Sequence, residues 1–170
     1  TEWQHLGAIA GSGMNGLGDF GYMWECPDLF ELDGVDVLVT SPQGLKAEGM
    51  KYQNVYQAGY FIGKLDYGKA SFEHGDFVEL DRGFEFYAPQ TTLDEKGRRL
   101  MVGWMGVPEQ DEDKHPTIAH KWVHALTLPR ELHWVDGKLL QVPVEELESL
   151  RKTALVTVNY MQLSNEKEEV

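Results

Sequence analysis

A two-residue alternation of apolar and polar side chains runs through almost the whole chain, and a helical repeat is nearly absent. The run Asp36-Val37-Leu38-Val39-Thr40 predicts a buried strand that Ser41-Pro42 should close. Aromatic and β-branched residues over 52–65 are broken by Gly59 and Gly63, which predicts two strands or one bulged strand. The chain is therefore expected to consist mainly of short strands.

Turn residues divide the second half of the chain into two hairpins. Asp94-Glu95-Lys96-Gly97 forms the first turn, in which the glycine supplies a positive φ angle, and Asp136-Gly137 forms the second. The strands that these turns join are predicted at 84–93, 99–105, 131–135 and 138–142. Only residues 144–152 suggest a helical turn or two. Such a pattern indicates an all-β sandwich, barrel or propeller, and no repeat of blade length chooses among them.

Composition excludes several classes of partner. The chain has 170 residues, of which 28 are acidic and 15 basic, so its net charge is −13. A phosphate-rich polymer would be repelled, and nucleic-acid binding is not expected, although a local basic pocket for one phosphate is not excluded. No signal peptide opens the chain and no apolar run approaches transmembrane length, so no membrane partner is expected. Cys26 is the only cysteine, which excludes an intramolecular disulfide and suits a reducing cytoplasm.

One motif imitates a dinucleotide site. Gly11-Ser12-Gly13-Met14-Asn15-Gly16 fits the spacing of a dinucleotide-binding loop, but that mechanism needs a helix directly afterwards to hold a pyrophosphate. Residues 17–22 are too rich in glycine for a helix, so a flexible loop is predicted instead.

A group of histidines imitates a metal site. His120 and His124 stand four residues apart, and His115 and His133 are near them in sequence. Their surroundings look extended, where residues at this spacing lie about 13 Å apart, so structural or solvent-facing histidines are predicted. Neither pattern implies a metal or an organic cofactor.

The run Met23-Trp24-Glu25-Cys26-Pro27-Asp28 is the most informative local motif. A general acid needs a pKa raised toward the working pH, which a carboxyl group gains from apolar walls and a nearby second carboxylate. Met23 and Trp24 could supply such walls for Glu25, and Pro27 restricts the backbone that carries it. By itself, however, a glutamate in this position is more often an ordinary strand or surface residue.

Residues 24–28 resemble the acid/base motif of family 32 of the glycoside hydrolases, the invertase and sucrose-6-phosphate hydrolase family. Residues 81–90 resemble the family's D-x-G-x-D-x-Y-A-P-Q segment, with Glu85 in place of the more usual Asp. Residues 103–106 and 125–132 resemble the family's G-W-M-G and A-L-x-L-P-R-E-L stretches. The resemblance covers roughly residues 7–152 in the family's order. It implies part of a five-bladed β-propeller over residues 1–147, then a linker and the first part of a C-terminal β-sandwich over 148–170.

The resemblance also implies roles for individual residues. Glu25 would be the general acid/base, and Trp104 a hydrophobic wall of the sugar pocket. Asp81 would face the cleft, where it helps to set the pKa of Glu25 or contacts sugar hydroxyls, although without the motif a turn pair with Arg82 is favoured. The substrate-binding residues implied in this way are Trp24, Cys26, Asp81, Glu85, Tyr87 and Trp104. The polar, acidic residues 107–116 are predicted to form an exposed loop between blades.

Two carboxylates of the family's mechanism have no counterpart here. The family's nucleophile lies in a W-M-N-D-P-N-G strand and its transition-state stabiliser in an R-D-P motif, whereas this chain contains no Asp-Pro dipeptide. The resemblance therefore implies a fragment of a retaining β-fructofuranosidase that is inactive alone, with both motifs upstream of Thr1. Sucrose, sucrose 6-phosphate and related fructosides remain open as substrates, and exposed blade edges predict self-association. The alternative is a non-catalytic carbohydrate-binding or oligomerisation module.

Overall fold

A computed structural model describes residues 2–83, 85–109, 112–153 and 160, and this part of the chain forms nine strands in two antiparallel sheets. The first sheet, ordered β1-β2-β3-β4 with β5 also on β3, contains β1 (Met23–Leu32), β2 (Val35–Gln43), β3 (Gly59–Asp66), β4 (Ser71–His74) and β5 (Val78–Glu79). The second sheet, ordered β6-β7-β8-β9, contains β6 (Phe86–Leu93), β7 (Arg99–Met105), β8 (Arg130–Val135) and β9 (Lys138–Pro143). Short 3₁₀ helices occupy Glu112–Lys114, Pro116–His120 and Glu145–Leu150.

The connections between strands differ at the two edges of these sheets. Because all pairings are antiparallel, β1, β3, β6 and β8 begin at the edge where β2, β7 and β9 end. We call this the loop edge, since it carries the long connections 44–58, 80–85 and 106–129. The opposite edge, the turn edge, carries the short connections 33–34, 67–70, 94–98 and 136–137.

Buried side chains from both sheets hold them together. The first cluster combines Phe30, Val37 and Val39 of the first sheet with Met101 and Leu132 of the second, and each of these is at most 7% exposed. A second cluster lies around Phe61 and Phe72, where residues 9–20 contribute partly buried apolar side chains to it. The first sheet is thus covered on both faces, while the second shares its buried side with the first.

Both predicted hairpins are confirmed, as is the helical segment. Asp136 and Gly137 have φ angles of 49° and 74°, which the short connection between β8 and β9 requires. Gly97 has a φ of 79° in the first turn. The 3₁₀ helix Glu145–Leu150 lies within residues 144–152, where a helical turn or two was predicted.

The prediction that Ser41-Pro42 closes the second strand is wrong, because β2 continues to Gln43. Pro42 pairs with Trp24 of β1, whereas the pairing of β2 with β3 ends at Thr40. The missing N–H of proline therefore falls where β3 no longer needs a donor. The Pro42 carbonyl accepts a hydrogen bond from the Gln57 N–H at 3.1 Å instead.

Residues 52–65 form one strand and one loop rather than two strands. Strand β3 begins at Gly59, and residues 52–58 belong to the connection at the loop edge. A side chain at Gly59 would collide with the Phe77 ring and the Val78 carbonyl, so close packing of β5 explains this glycine.

The acidic loop does not lie between sheets. Residues 107–116 leave β7 and lead to β8 of the same second sheet, so the prediction of a loop between blades is wrong. The loop is also anchored, since Val107 is only 2% exposed. Residues 154–159 and 161–170, which belong to the segment predicted as a linker and the first part of a C-terminal β-sandwich, lie outside the described residues. Among the described residues, no helix is long and apolar enough to cross a membrane.

Candidate active site

Glu25 lies at the loop edge, two residues after β1 begins, directly before an irregularity in the strand. The pairing of β1 with β2 shifts register between Glu25 and Asp28, and Cys26 has a φ of 50°. A bulge of this kind tolerates Pro27, which has no N–H for the ladder. Because of the bulge, the alternation of side chains that holds from Asp28 onward does not extend back to Glu25.

The carboxylate of Glu25 is held by two side chains from different parts of the fold. Its Oε2 accepts hydrogen bonds from Gln43 Nε2 at 3.0 Å and from the Tyr87 hydroxyl at 2.9 Å. Gln43 Nε2 also lies 3.1 Å from the Tyr87 hydroxyl oxygen, so the three groups form a closed triangle. Among the described residues, Glu25 Oε1 has no hydrogen-bond partner. One oxygen is thus fixed and the other is open to an incoming group.

Tyr87 joins the second sheet to this site. The residue is 1% exposed, and burial raises the pKa of its phenol, as does the hydrogen bond to Glu25, while the hydrogen bond from Gln43 lowers it. The net direction is well upward, so the phenol stays protonated at physiological pH and donates to the carboxylate. Gln43 and this contact of Tyr87 were not predicted from the sequence.

The Cys26 thiol is a neutral neighbour of Glu25. Burial raises its pKa, and the charge of Glu25 raises it further. The Cys26 carbonyl accepts a hydrogen bond from Gln90 Nε2 at 3.1 Å. The backbone of Cys26 therefore contributes to the contact between the sheets, and its role in substrate binding stays a prediction.

Asp28 is not the second carboxylate that a general acid at Glu25 would need. Its Oδ2 accepts hydrogen bonds from the N–H of Thr91 at 2.8 Å and from the Thr91 hydroxyl at 2.6 Å. These bonds link β1 to β6. Asp28 thus fastens the two sheets together just inside the loop edge.

The prediction that Trp24 forms an apolar wall beside Glu25 is wrong. The ring of Trp24 stacks on Phe61 at 5.3 Å between centroids, within the second cluster, and its Nε1 donates to the Phe20 carbonyl at 2.8 Å. Adjacent strand residues point to opposite faces, which carries the Trp24 ring away from the Glu25 carboxylate. Its assignment as a substrate-binding residue stays a prediction.

Trp104 lies close to the Glu25 network, because it is paired with Tyr87 across β6 and β7. Both pack in a third cluster with Tyr56 and Val107. The Trp104 ring meets the His124 ring edge-on at 4.9 Å. The indole remains partly exposed, as a wall of a sugar pocket requires.

A second polar network, which the sequence did not predict, adjoins this cluster. The Tyr56 hydroxyl donates to Glu109 Oε2 at 2.7 Å and lies 3.3 Å from the Tyr22 hydroxyl. These hydrogen bonds to Tyr22 and Glu109 raise the pKa of Tyr56. Its ring centroid lies 6.0 Å from that of Tyr87, which places this network next to the one that holds Glu25.

Asp81 and Glu85 lie at the loop edge but do not bond to Glu25. Asp81 Oδ1 accepts the Gly83 N–H at 2.8 Å, and its Oδ2 lies 2.9 Å from Arg130 Nη1. The charged partner of Asp81 is therefore Arg130, not the Arg82 that a turn pair would use. Glu85 has a φ of 54°, a conformation in which Asp is more common than Glu, and it lines a cavity of about 240 Å³ with Asp81 and Arg130.

The histidines do not gather as metal ligands. No group of three or more His, Cys, Asp or Glu residues within the described ranges is arranged to hold a metal ion. His120 ends the 3₁₀ helix Pro116–His120, so the extended conformation predicted there is wrong. The His124 ring lies edge-on to the rings of both Trp104 and His115.

Comparison with known proteins identifies the family. Residues 1–143 match the glycosyl hydrolases family 32 N-terminal domain. The chain belongs to glycoside hydrolase family 32. Sucrose-6-phosphate hydrolases of Bacillus subtilis (strain 168) and Salmonella typhimurium are 60% and 52% identical to this family 32 chain, over 89% and 90% of its length. These alignments cover 32% and 33% of the relatives, so the chain spans about a third of their length.

Solved structures of family 32 enzymes share the fold. The β-fructofuranosidase BmSUC1 of Bombyx mori aligns with a TM-score of 0.77 and 39% identity, over 86% of this chain and 30% of its own. Sucrose-6-phosphate hydrolase of Lactobacillus gasseri aligns with a TM-score of 0.72 and 32% identity, over 81% and 28%. The all-β propeller fold is thereby confirmed, and the two sheets are blades. The number of five blades and the domain boundary at 147 stay predictions.

Proposed function

We propose that this chain supplies the acid/base half of a retaining β-fructofuranosidase site, with Glu25 as the general acid/base. The observation that carries the proposal is the triangle of Glu25, Gln43 and Tyr87 at the loop edge. It fixes one carboxylate oxygen and leaves the other open, next to the partly exposed indole of Trp104. Family membership supports the reaction type, and the triangle supports Glu25 as the acid/base.

The geometry suits two proton transfers. Glu25 Oε1 would protonate the glucosyl oxygen as the bond to the fructosyl C2 breaks, and it would later take a proton from the incoming water. Meanwhile the bonds from Gln43 and Tyr87 to Oε2 keep the carboxyl plane in one orientation. Because Tyr87 stays protonated, the same donor serves both steps.

We infer that the rest of the reaction needs a second carboxylate that this chain does not provide. A retaining glycosidase requires a nucleophile about 5 Å from the acid/base, which forms the covalent glycosyl-enzyme. Glu25 has no second carboxylate as a hydrogen-bond neighbour among the described residues, and the sequence has no Asp-Pro dipeptide. We propose that the 170-residue chain alone does not turn over substrate.

Sucrose and sucrose 6-phosphate are the proposed substrates. The two relatives that are 60% and 52% identical to this chain are named sucrose-6-phosphate hydrolases, and a mutant of BmSUC1 has been solved in complex with sucrose. We propose a cytoplasmic location because a phosphorylated sugar is an intracellular substrate and because Cys26 is the only cysteine.

Complementation tests this function. The chain is combined with a separate polypeptide that carries the family's W-M-N-D-P-N-G and R-D-P strands, and glucose release from sucrose is measured. Removal of a general acid lowers the rate by about 10²–10⁴-fold, which we expect for Glu25→Gln. Glu31→Gln is the matched control, because Glu31 is exposed on the same strand and its side chain accepts a hydrogen bond from the Gly34 N–H, its one side-chain bond among the described residues.

The outcomes separate the proposals. Turnover that survives Glu25→Gln would remove Glu25 from the mechanism. A complemented chain that binds sucrose without cleaving it would favour the alternative of a carbohydrate-binding module.

We also propose self-association through the outer strand of the second blade. Leu140 and Val142 of β9 are 41% and 47% exposed, and no further strand covers β9 among the described residues. An uncovered strand edge with apolar side chains favours pairing with another chain. Sedimentation velocity should show species larger than 19.3 kDa, and Val142→Lys should shift them toward the monomer. A monomer at all concentrations would contradict this proposal.

A further inference from the structure

A small pocket at the loop edge is not used by the acid/base network. Met50, Gln53 and Asn54 of the connection 44–58 line it from one side, and Glu79 and Arg82 from the other. Its volume is about 120 Å³, room for about four water molecules at roughly 30 Å³ each. This volume accommodates a phosphate group.

Hydrogen bonds from the connection 44–58 to Glu79 and Gly83 hold the two sides of this pocket together. Asn54 Nδ2 donates to the Gly83 carbonyl at 3.0 Å, and the Tyr52 N–H donates to Glu79 Oε1 at 2.9 Å. Gln53 Nε2 donates to the Gly49 carbonyl at 2.9 Å within its own loop. The side-chain amides of Gln53 and Asn54 therefore already donate hydrogen bonds within the protein. Among the described residues that line the pocket, the guanidinium of Arg82 is the donor group without a partner.

Arg82 differs from the cations of the turn edge. Lys64, Lys69 and Arg98 each form an ion pair there, at 3.5, 3.2 and 2.8 Å. Arg82 is exposed and makes no ion pair or hydrogen bond with its side chain in the described part of the chain. An unpaired guanidinium presents five N–H donors in a planar fork that matches the oxygens of a phosphate.

The pocket lies next to the proposed acid/base site. Asn54 is two residues from Tyr56, so their Cα atoms are at most about 7 Å apart. The Tyr56 ring packs on Tyr87, whose hydroxyl bonds to Glu25. Tyr56 therefore connects the pocket to the acid/base network.

We propose that this pocket binds the phosphate group of a phosphorylated sugar, with Arg82 as the charged donor. The proposal rests on the proposed function, because it assigns the pocket to the leaving-group part of that substrate. Glu79 lines the same pocket and carries the opposite charge. Arg82 therefore has to offset Glu79, and the balance of the two sets the affinity for an anion.

A titration of the 170-residue chain with glucose 6-phosphate, glucose and inorganic phosphate tests the proposal, with binding followed by ¹H–¹⁵N NMR. Glucose 6-phosphate should bind more tightly than either other probe and shift the amide signals of residues 53, 54 and 82. Arg82→Gln should weaken this binding about tenfold or more, since charge-assisted hydrogen bonds are lost. Glu79→Gln should strengthen it, because Gln keeps the acceptor for Tyr52 N–H without the charge.

Lys121→Gln is the matched control, because Lys121 is an exposed cation in another connection at the loop edge. Equal losses in Arg82→Gln and Lys121→Gln would overturn the proposal, as would equal binding of glucose and glucose 6-phosphate. Inorganic phosphate binding as tightly as glucose 6-phosphate would overturn the assignment to a sugar. Thermal unfolding of each variant checks that the fold is retained. The titration needs no second carboxylate, so its result is independent of the hydrolysis test of Glu25.

Discussion

The same strands form both edges of the blades, but the two edges differ in the length of their connections and in the partners of their charged groups. At the turn edge, connections of two to five residues close each hairpin, and the cations Lys64, Lys69 and Arg98 are paired with carboxylates. At the loop edge, the connections run to 24 residues over 106–129, and the carboxylate of Glu25 is held by neutral groups. At the loop edge Asp81 also pairs with Arg130, but in the described part of the chain Glu25 and Arg82 make no ion pair, and these are the two charged groups to which we assign a ligand.

Among changes to the side chains that hold Glu25, the largest effect is expected from Tyr87→Phe. This change removes one of the two donors to Glu25 Oε2 without altering the size of the ring. A hydrogen bond to a charged group contributes about 1.5–3 kcal/mol, so we expect kcat/KM of the complemented chain to fall about 10- to 100-fold. The melting temperature of the variant is the control. A lower melting temperature with an unchanged kcat/KM would contradict the claim that Tyr87 serves the loop-edge site rather than stability.

Asp28 and Asp33 allow the two edges to be compared directly, since each accepts hydrogen bonds from the other blade. Asp28 is half-buried and accepts two bonds from Thr91, whereas Asp33 is exposed at the turn edge and accepts one, from Trp134 N–H at 2.9 Å. We expect Asp28→Ala to lower the free energy of unfolding by about 1–3 kcal/mol, and Asp33→Ala by less. Urea unfolding measures both, and equal losses would contradict the comparison.

Gly137→Ala should affect stability alone. The φ of Gly137 is 74°, a conformation that costs L-amino acids free energy, so unfolding should become easier by about 1 kcal/mol. Gly13→Ala is a matched control at a positive φ of 75° with open space around it, in the irregular N-terminal segment. A change in kcat/KM for Gly137→Ala beyond the loss of folded protein would show that the edges are coupled.

The smallest effect is a pH dependence at the turn edge. Arg98, with its hydrogen bonds, lowers the pKa of Glu146 to about 2, and Lys96 adds to this shift. The folded-state pKa lies below the unfolded value near 4.3, so this stabilisation is complete above about pH 4.3 and is lost as the pH falls toward 2. Glu146 and Lys96 are both exposed to solvent, so the contribution of these ion pairs to the free energy of unfolding is small. Glu146→Gln should flatten this part of a melting-temperature profile against pH, and an unchanged slope would contradict it.

The sequence predicted the turn edge well because its signals are local. Asp136-Gly137 and the Asp94–Gly97 turn each specify a hairpin by the conformations of two to four residues, and both hairpins are confirmed.

The end of β2 was missed because Pro42 fits there only once β3 has stopped pairing, which depends on a strand almost 20 residues away in the chain.

The loop edge was less predictable because its contacts join distant residues. Tyr87 is 62 residues from Glu25, and nothing local marks Gln43 as the second donor. The alternation of side chains along β1 places Trp24 and Glu25 on opposite faces of the sheet. The motif alone had suggested that Trp24 forms a wall beside Glu25. Glu25 and Tyr87 themselves were found through the resemblance to the family, and the partners that hold the carboxylate required the structure.

The most direct test of the central claim is a burst experiment with the complemented Glu25→Gln variant and p-nitrophenyl β-D-fructofuranoside. This leaving group needs no proton, so the first step should proceed without Glu25, whereas hydrolysis of the glycosyl-enzyme still needs a base. We predict a rapid release of one p-nitrophenolate per site, followed by slow turnover, while sucrose is cleaved at least about 10²-fold more slowly than by the unaltered chain. Equal losses on both substrates, with no burst, would contradict the assignment of Glu25 as the acid/base.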